Sequence, residues 1–154
     1  MNVFSDLDGT LFDPCVLVRL YDLNGPRRNW KEYFKHTLEI PAIPSMVMLM
    51  TSLISAGHDV TFITGRPLSN RHDTVISLWN AMPILSTVRY TLLTRTDGDP
   101  RSLSLIKLAW CQERHPQLVL EDEPETVRIL KAHGFTVLQV HGYRVDEFKD
   151  NIPE

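Results

Sequence analysis

The sequence predicts an α/β fold built on a central parallel sheet, and two features of the chain carry that expectation. Short apolar runs alternate with longer helix-like segments, the pattern of βα units feeding a parallel sheet. Carboxylate and hydroxyl residues stand at the ends of several of those runs, where open α/β sheets gather their ligands. The strand segments are Asn2 to Asp6, Asp59 to Thr64, Tyr90 to Thr94, Gln117 to Glu121 and Thr136 to Val140. Helices are expected at Pro44 to Ala56, Ser69 to Asn80, Leu103 to Arg114 and Pro124 to His133, several opening on the proline or serine that a first turn prefers.

The segment 14–43 is expected to form a small flap beside the first strand. Within it Val16-Leu17-Val18-Arg19-Leu20 reads as a strand, Asn24-Gly25-Pro26 as a turn, and Trp30-Lys31-Glu32-Tyr33-Phe34 as a short helix. Met46, Met48 and Met50 with Val47 and Leu49 make a helix apolar nearly all round, which predicts burial. Trp79 and Trp110 are expected in the core. Trp30 and Phe34, four apart, either anchor the flap or offer rings on which a base could stack.

With 154 residues, 43% hydrophobic and 23% charged, the chain suits one domain with a sizeable core and is unlike disordered or fibrous sequences. That domain is expected over residues 1–141, with a polar, weakly patterned tail at 142–154. A net charge of -3 gives no global drive toward nucleic acid, so a polyanion would have to be held by a local arginine cluster. Cys15 and Cys111 match no zinc spacing, and a reducing, cytoplasmic setting is expected. No stretch approaches the roughly 18 apolar residues of a membrane helix, and nothing calls for an obligate protein partner. The six histidines show no pair at metal-ligand spacing.

The chemistry concentrates at strand ends. Asp6 and Asp8, one residue apart and followed by Gly9-Thr10, can project two carboxylates toward one point as the first strand ends. A carboxylate attacking a phosphate dianion meets repulsion, so it needs a cation between the two and an acid for the leaving oxygen; Asp8 is the natural acid. Thr64-Gly65-Arg66 offers a hydroxyl, a helix-entrance amide and a guanidinium to phosphate oxygens. Lys107 could neutralise the nucleophile and the phosphoryl group. Glu121-Asp122 ends a strand with carboxylates suited to Mg²⁺.

These segments together resemble the haloacid dehalogenase superfamily of phosphohydrolases, matched by DLDGT, the Thr of FITGR, the downstream lysine and the strand-end acidic pair, over nearly the whole chain. The resemblance implies a Rossmann-like three-layer sandwich, here with a small flap in place of a large cap. It implies that Asp6 forms an aspartyl-phosphate, that Asp8 acts as general acid and then base, and that Thr64 and Lys107 stabilise the phosphoryl group. It also implies Mg²⁺ held by Asp6, the backbone carbonyl of Asp8, and Asp122. Relatives usually carry Asp-Asp where this chain has Glu121-Asp122, so Asp122 is the ligand of choice, with Glu121 reaching the ion through water or orienting its neighbours.

A narrower resemblance lies in Arg95-Thr96-Asp97-Gly98-Asp99-Pro100-Arg101 ahead of Lys107, which is similar to a block in the 3′-phosphatase domain of bacteriophage-type polynucleotide kinase/phosphatases. The Trp30/Phe34 segment and Gly134-Phe135-Thr136-Val137-Leu138-Gln139-Val140 are similar to that subgroup too. Arg66, Arg95 and Arg101 could grip a terminal or flanking phosphate; equally, Arg95 or Arg101 could pair with Asp97 or Asp99 to fix the loop. The expected substrate is a 3′-phosphorylated DNA or RNA end. The alternatives are a free nucleotide or other small phosphometabolite, or a non-catalytic role in binding phosphorylated ends. No Gly-x-x-x-x-Gly-Lys-Ser/Thr loop occurs, so kinase chemistry of that kind is not expected.

Overall fold

A computed structural model describes residues 1–140; the 142–154 tail and His141 lie outside the described residues. Five parallel strands form one sheet in the order β3-β2-β1-β4-β5, where β1 is Asn2–Asp6, β2 Asp59–Pro67, β3 Thr91–Arg95, β4 Leu118–Glu121 and β5 Val137–Gln139. The central strand, β1, pairs on one side with β2, Asp6 opposite Ile63, and on the other with β4, Ser5 opposite Leu120. Both edges of β1 are therefore paired, and Val3, Phe4 and Ser5 are buried.

The helices complete three layers. On one face, α3 (Pro44–Ser55) and α4 (Arg71–Ala81) pack Met50, Ile54 and Leu78 against Val60, Phe62 and Leu120. On the other, α5 (Leu103–Arg114) and α6 (Pro124–Ala132) pack Leu108, Cys111, Val127 and Leu130 against Phe4, Ile63, Val119 and Val137. Each fully buried large apolar side chain contributes roughly 1.5–3 kcal/mol. The predicted Rossmann-like, three-layer architecture is borne out, with element ends within a few residues of expectation.

Three local expectations are corrected. Val16–Leu20 is helical: α1 spans Cys15–Leu20, because Asp13 Oδ1 accepts the Cys15 amide at the chain's turn and, among the described residues, no strand lies alongside for it to pair with. The helix Pro44–Ser55 buries only one face; Met50 and Ile54, four apart, are inside, whereas Met48 is 69% exposed. Trp79 is 48% exposed because its neighbour Leu78 takes the inward position, about 100° away around α4. Among the described residues no helix is long and apolar enough to cross a membrane.

The flap carries α1 and α2 (Trp30–Lys35) and lies over the same face as α3 and α4. Asn29 caps α2 by accepting the Glu32 amide at 3.1 Å, and Asn70 ties it to α4's entrance by donating to the Phe34 carbonyl at 2.8 Å. Tyr33, 2% exposed, roots the flap in the core.

Candidate active site

The site forms where β1 ends. The Leu7 carbonyl accepts the amides of Thr10, Leu11 and Phe12 within 3.2 Å, so the chain doubles back immediately after Asp6. This tight turn demands φ of +95° at Gly9. Position 9 is constrained a second time: a Cβ there would lie 2.2 Å from Asp122 Oδ2. Asp122 thus leans over the Gly9 backbone, steadied by Thr10, whose Oγ1 donates to Asp122 Oδ1 at 3.3 Å. Gly9 and Thr10 are present for the acidic residue more than a hundred positions downstream.

Lys107 projects from α5 into the sheet's edge, 1% exposed, and donates to Asp6 Oδ1 and Glu121 Oε2, each at 2.6 Å. Burial disfavours its charge, but Asp6 and Glu121 outweigh burial and hold the ammonium above its ordinary range. Asp6 is pushed well above the usual carboxylate range by burial; Lys107 opposes this, while Glu121 and Asp122 add to it. Asp122 is pushed up to about 6 by burial and then by Glu121. One buried lysine faces three carboxylates, which leaves the cluster short of positive charge.

Oxygens of Asp6, Glu121 and Asp122 lie within 4.8 Å of one another, a group that could hold a metal ion. The donors suit a hard, oxygen-preferring cation. Glu121 has little left to offer: Oε2 takes Lys107, while Oε1 accepts the amides of Asp122 and Glu123 at 3.2 and 3.1 Å. Asp6 and Asp122 are better placed as direct ligands, and Glu121, fully buried, orients Lys107 and the Asp122 turn.

Asp8 is gripped by Arg66, with Nε to Oδ2 at 2.8 Å and Nη2 to Oδ1 at 2.6 Å. The strand was expected to end at Thr64 and hand Gly65-Arg66 to a helix; instead β2 runs to Pro67, and its register with β3 slips between Thr64 and Pro67. That bulge turns Arg66 inward, 1% exposed, over the Phe12 ring at 5.3 Å. Burial works against the Arg66 charge, but Asp8 overcomes it and holds the guanidinium above its ordinary range. Its Nη1 is buried and has no partner. Thr64 is buried behind Gly65, its Oγ1 accepting the Arg66 amide at 3.1 Å. Gly65 leaves room for Leu103, which a Cβ would meet at 2.6 Å.

The loop after β3 is held by its own charges. Arg95 Nη2 donates to the carbonyls of Asp99 and Arg101 at 2.6 and 3.0 Å, and Arg101 clamps the Asp99 carboxylate from Nε and Nη2. That clamp lowers the Asp99 carboxyl to about 2. Asp97 accepts from Ser69. Arg101 makes the expected pairing with Asp99, whereas Arg95 is tied to the loop through backbone carbonyls.

A cavity of about 1070 Å³ joins these parts; Asp6, Asp8, Gly65, Arg66, Arg95, Lys107, Glu121 and Asp122 line it, while Thr64 and Arg101 do not. Tyr33, unremarked in the sequence except as a flap residue, lines it as well. Burial and then the Asp8 carboxylate push its phenol above its ordinary range. Its only signal in sequence was its place between Trp30 and Phe34.

No protein-family model matches the chain, and no curated protein does. Solved structures do. The Pnkp1/Rnl/Hen1 complex contains a chain 22% identical, with a TM-score of 0.67, over 93% of this chain and 47% of that one. The class C acid phosphatase from Bacillus anthracis is 16% identical, with a TM-score of 0.61, over 92% of this chain and 67% of that one. D,D-heptose 1.7-bisphosphate phosphatase from B. bronchiseptica, complexed with magnesium and phosphate, is 12% identical, with a TM-score of 0.64, over 99% of this chain and 88% of that one. A HAD hydrolase from Entamoeba histolytica is similar too, with a TM-score of 0.57. The chain has the haloacid dehalogenase fold, as its motifs led one to expect. It spans about half the length of the Pnkp1/Rnl/Hen1 chain.

Proposed function

We propose that this chain is a Mg²⁺-dependent phosphomonoesterase in which Asp6 attacks phosphorus, acting on 3′-phosphorylated nucleic-acid ends. The observation that carries the chemistry is the pairing at one cavity: Asp6 bonded to buried Lys107, and Asp8 beside it in the grip of Arg66. Lys107 takes Asp6 Oδ1, which leaves Oδ2 for attack and fixes the carboxylate's rotation. Asp6, Asp122 and the Asp8 carbonyl would hold Mg²⁺, which when bound would supply the positive charge that lets a carboxylate approach a phosphate dianion.

Asp8 gives its proton to the leaving oxygen and later takes one from the water that opens the aspartyl-phosphate. When Asp8 carries that proton it can donate to the leaving oxygen, and the two Arg66 bonds lose their charge assistance. Arg66 positions Asp8 through Nε and Nη2. Thr64 accepts the Arg66 amide and so steadies the bulge beside Gly65, which lines the cavity. Arg95 lines the same cavity while spending Nη2 on its own loop.

The nucleic-acid assignment is supported by the Arg95–Arg101 block and by the likeness to a chain of the Pnkp1/Rnl/Hen1 RNA repair complex. The test is phosphate release from a 3′-phosphorylated oligonucleotide, a nucleoside 3′-monophosphate and a 5′-monophosphate, with wild type, wild type plus EDTA, and Asp6→Asn. Release confined to Mg²⁺-loaded wild type, fastest on the oligonucleotide, is the expected result. Undiminished release by Asp6→Asn would sink the chemistry; a preference for free nucleotides would change the substrate.

A further inference from the structure

The cavity is larger than a phosphoryl group needs, and its lining is of two kinds. Asp6, Asp8 and Lys107 contribute charge, whereas the flap contributes the rings of Trp30 and Phe34. At about 1070 Å³ it sits at the top of the range for small-molecule pockets, roughly 300–1,000 Å³. The charged residues account for the phosphate and leave the flap rings for whatever the phosphate is attached to.

Trp30 is shaped for a planar group. It is 47% exposed, yet held: its ring stacks on Phe34 at 5.8 Å and 25°, and meets Tyr33 edge-on at 5.6 Å and 83°. Tyr33 is buried beneath it, and the α2 backbone is pinned by Asn29 and Asn70. A rigid indole covered on one side by Phe34 and open to the cavity needs no ordering before it stacks on a ligand ring.

We infer that Trp30, backed by Phe34, is the leaving-group subsite, and that it stacks on the nucleobase of the nucleoside whose phosphate lies at Asp6. This rests on the proposed phosphatase reading and deepens it: the flap selects esters by a flat ring near the phosphate. The ring has two sources, a free nucleotide or the terminal residue of a polynucleotide, and both present the same chemistry to Trp30.

The test compares kcat/KM for phosphate release from a nucleoside 3′-monophosphate, a short 3′-phosphorylated oligonucleotide and glycerol phosphate, in wild type, Trp30→Leu and Trp30→Phe. Trp30→Leu is expected to lower kcat/KM for the ring-bearing esters, relative to glycerol phosphate, by roughly 5- to 150-fold, the range for one base–aromatic stack. The loss should fall in KM, and Trp30→Phe should recover most of it. Equal loss on both nucleoside esters identifies the base itself as the ligand; loss on the oligonucleotide alone identifies a polynucleotide end. The same factor on all three esters, or none, overturns the inference.

Tryptophan fluorescence of Asp6→Asn titrated with a nucleoside 3′-monophosphate and with the short 3′-phosphorylated oligonucleotide supplies a second readout. Quenching by either ligand that disappears in Asp6→Asn/Trp30→Phe supports the stack, and absence of quenching by both overturns it. This arm stands even if wild type releases no phosphate, an outcome that would end the phosphatase reading alone. It also stands if circular dichroism shows Trp30→Leu to be unfolded.

Discussion

Replacing Lys107 by Met tests the electrostatic core of the site. In wild type one ammonium serves two buried carboxylates, Asp6 and Glu121, at 2.6 Å each. Met fills similar space without the charge, leaving both anions buried and uncompensated. Removing one partner of a buried ion pair costs about 3–5 kcal/mol, and for a chain of this size 1 kcal/mol moves Tm by about 2–4 °C. The expected fall in Tm near neutral pH is therefore about 6–20 °C, read by circular dichroism with EDTA present. The penalty comes from ionised carboxyls, so it should shrink in acid, as Asp6, raised by burial, takes up a proton. Adding Glu121→Gln removes one stranded charge while its Oε1 can still accept the Asp122 and Glu123 amides. The double variant should recover about 1–3 kcal/mol through coupling of contacting residues. A Tm within about 2 °C of wild type, or a loss that does not shrink in acid, would refute the account of Lys107 as the cluster's counter-charge.

Other consequences are as direct. Asp122 has an ordinary value near 3.8 when exposed and about 6 in the fold, so its contribution to stability is complete below the lower value and lost as pH rises through the higher. Tm of the cation-free protein should fall between about pH 4 and 6, and saturating Mg²⁺ should remove most of that fall; a flat profile in EDTA would contradict it. Gly9→Ala adds a side chain at φ of +95° and against Asp122. It should cost roughly 1–2 kcal/mol in urea unfolding and raise the Mg²⁺ needed for half-maximal activity by about tenfold. Arg66→Lys keeps the charge but loses the two-pronged grip on Asp8. It should lower kcat by about 10- to 100-fold with KM little changed, whereas a rise in KM alone would make Arg66 a substrate ligand.

The sequence by itself determined the βα alternation, the parallel sheet and the strand-end positions of Asp6 and Glu121, because periodicity and chain punctuation are local properties that survive into the fold. It also marked Asp6, Asp8, Lys107 and Asp122 as one chemistry, since each is the residue type that phosphoryl transfer requires. The helicity of α1 was hidden because an apolar β-branched run carries no sign of whether a strand will lie beside it; Asp13 and the lack of a neighbour decided the matter. The outward turn of Trp79 was hidden for a similar reason, since hydrophobicity does not say which side of a helix meets the sheet.

Only the tertiary structure assigned partners. That Arg66 serves Asp8, that Glu121 serves Lys107, that Arg101 is spent on Asp99, and that Gly9 exists partly to admit Asp122 are all relations between distant strand ends. A charged side chain can be matched by any opposite charge within its reach. Which one it meets is set by sheet order and by a bulge after Thr64, and neither is written in the residues that are brought together.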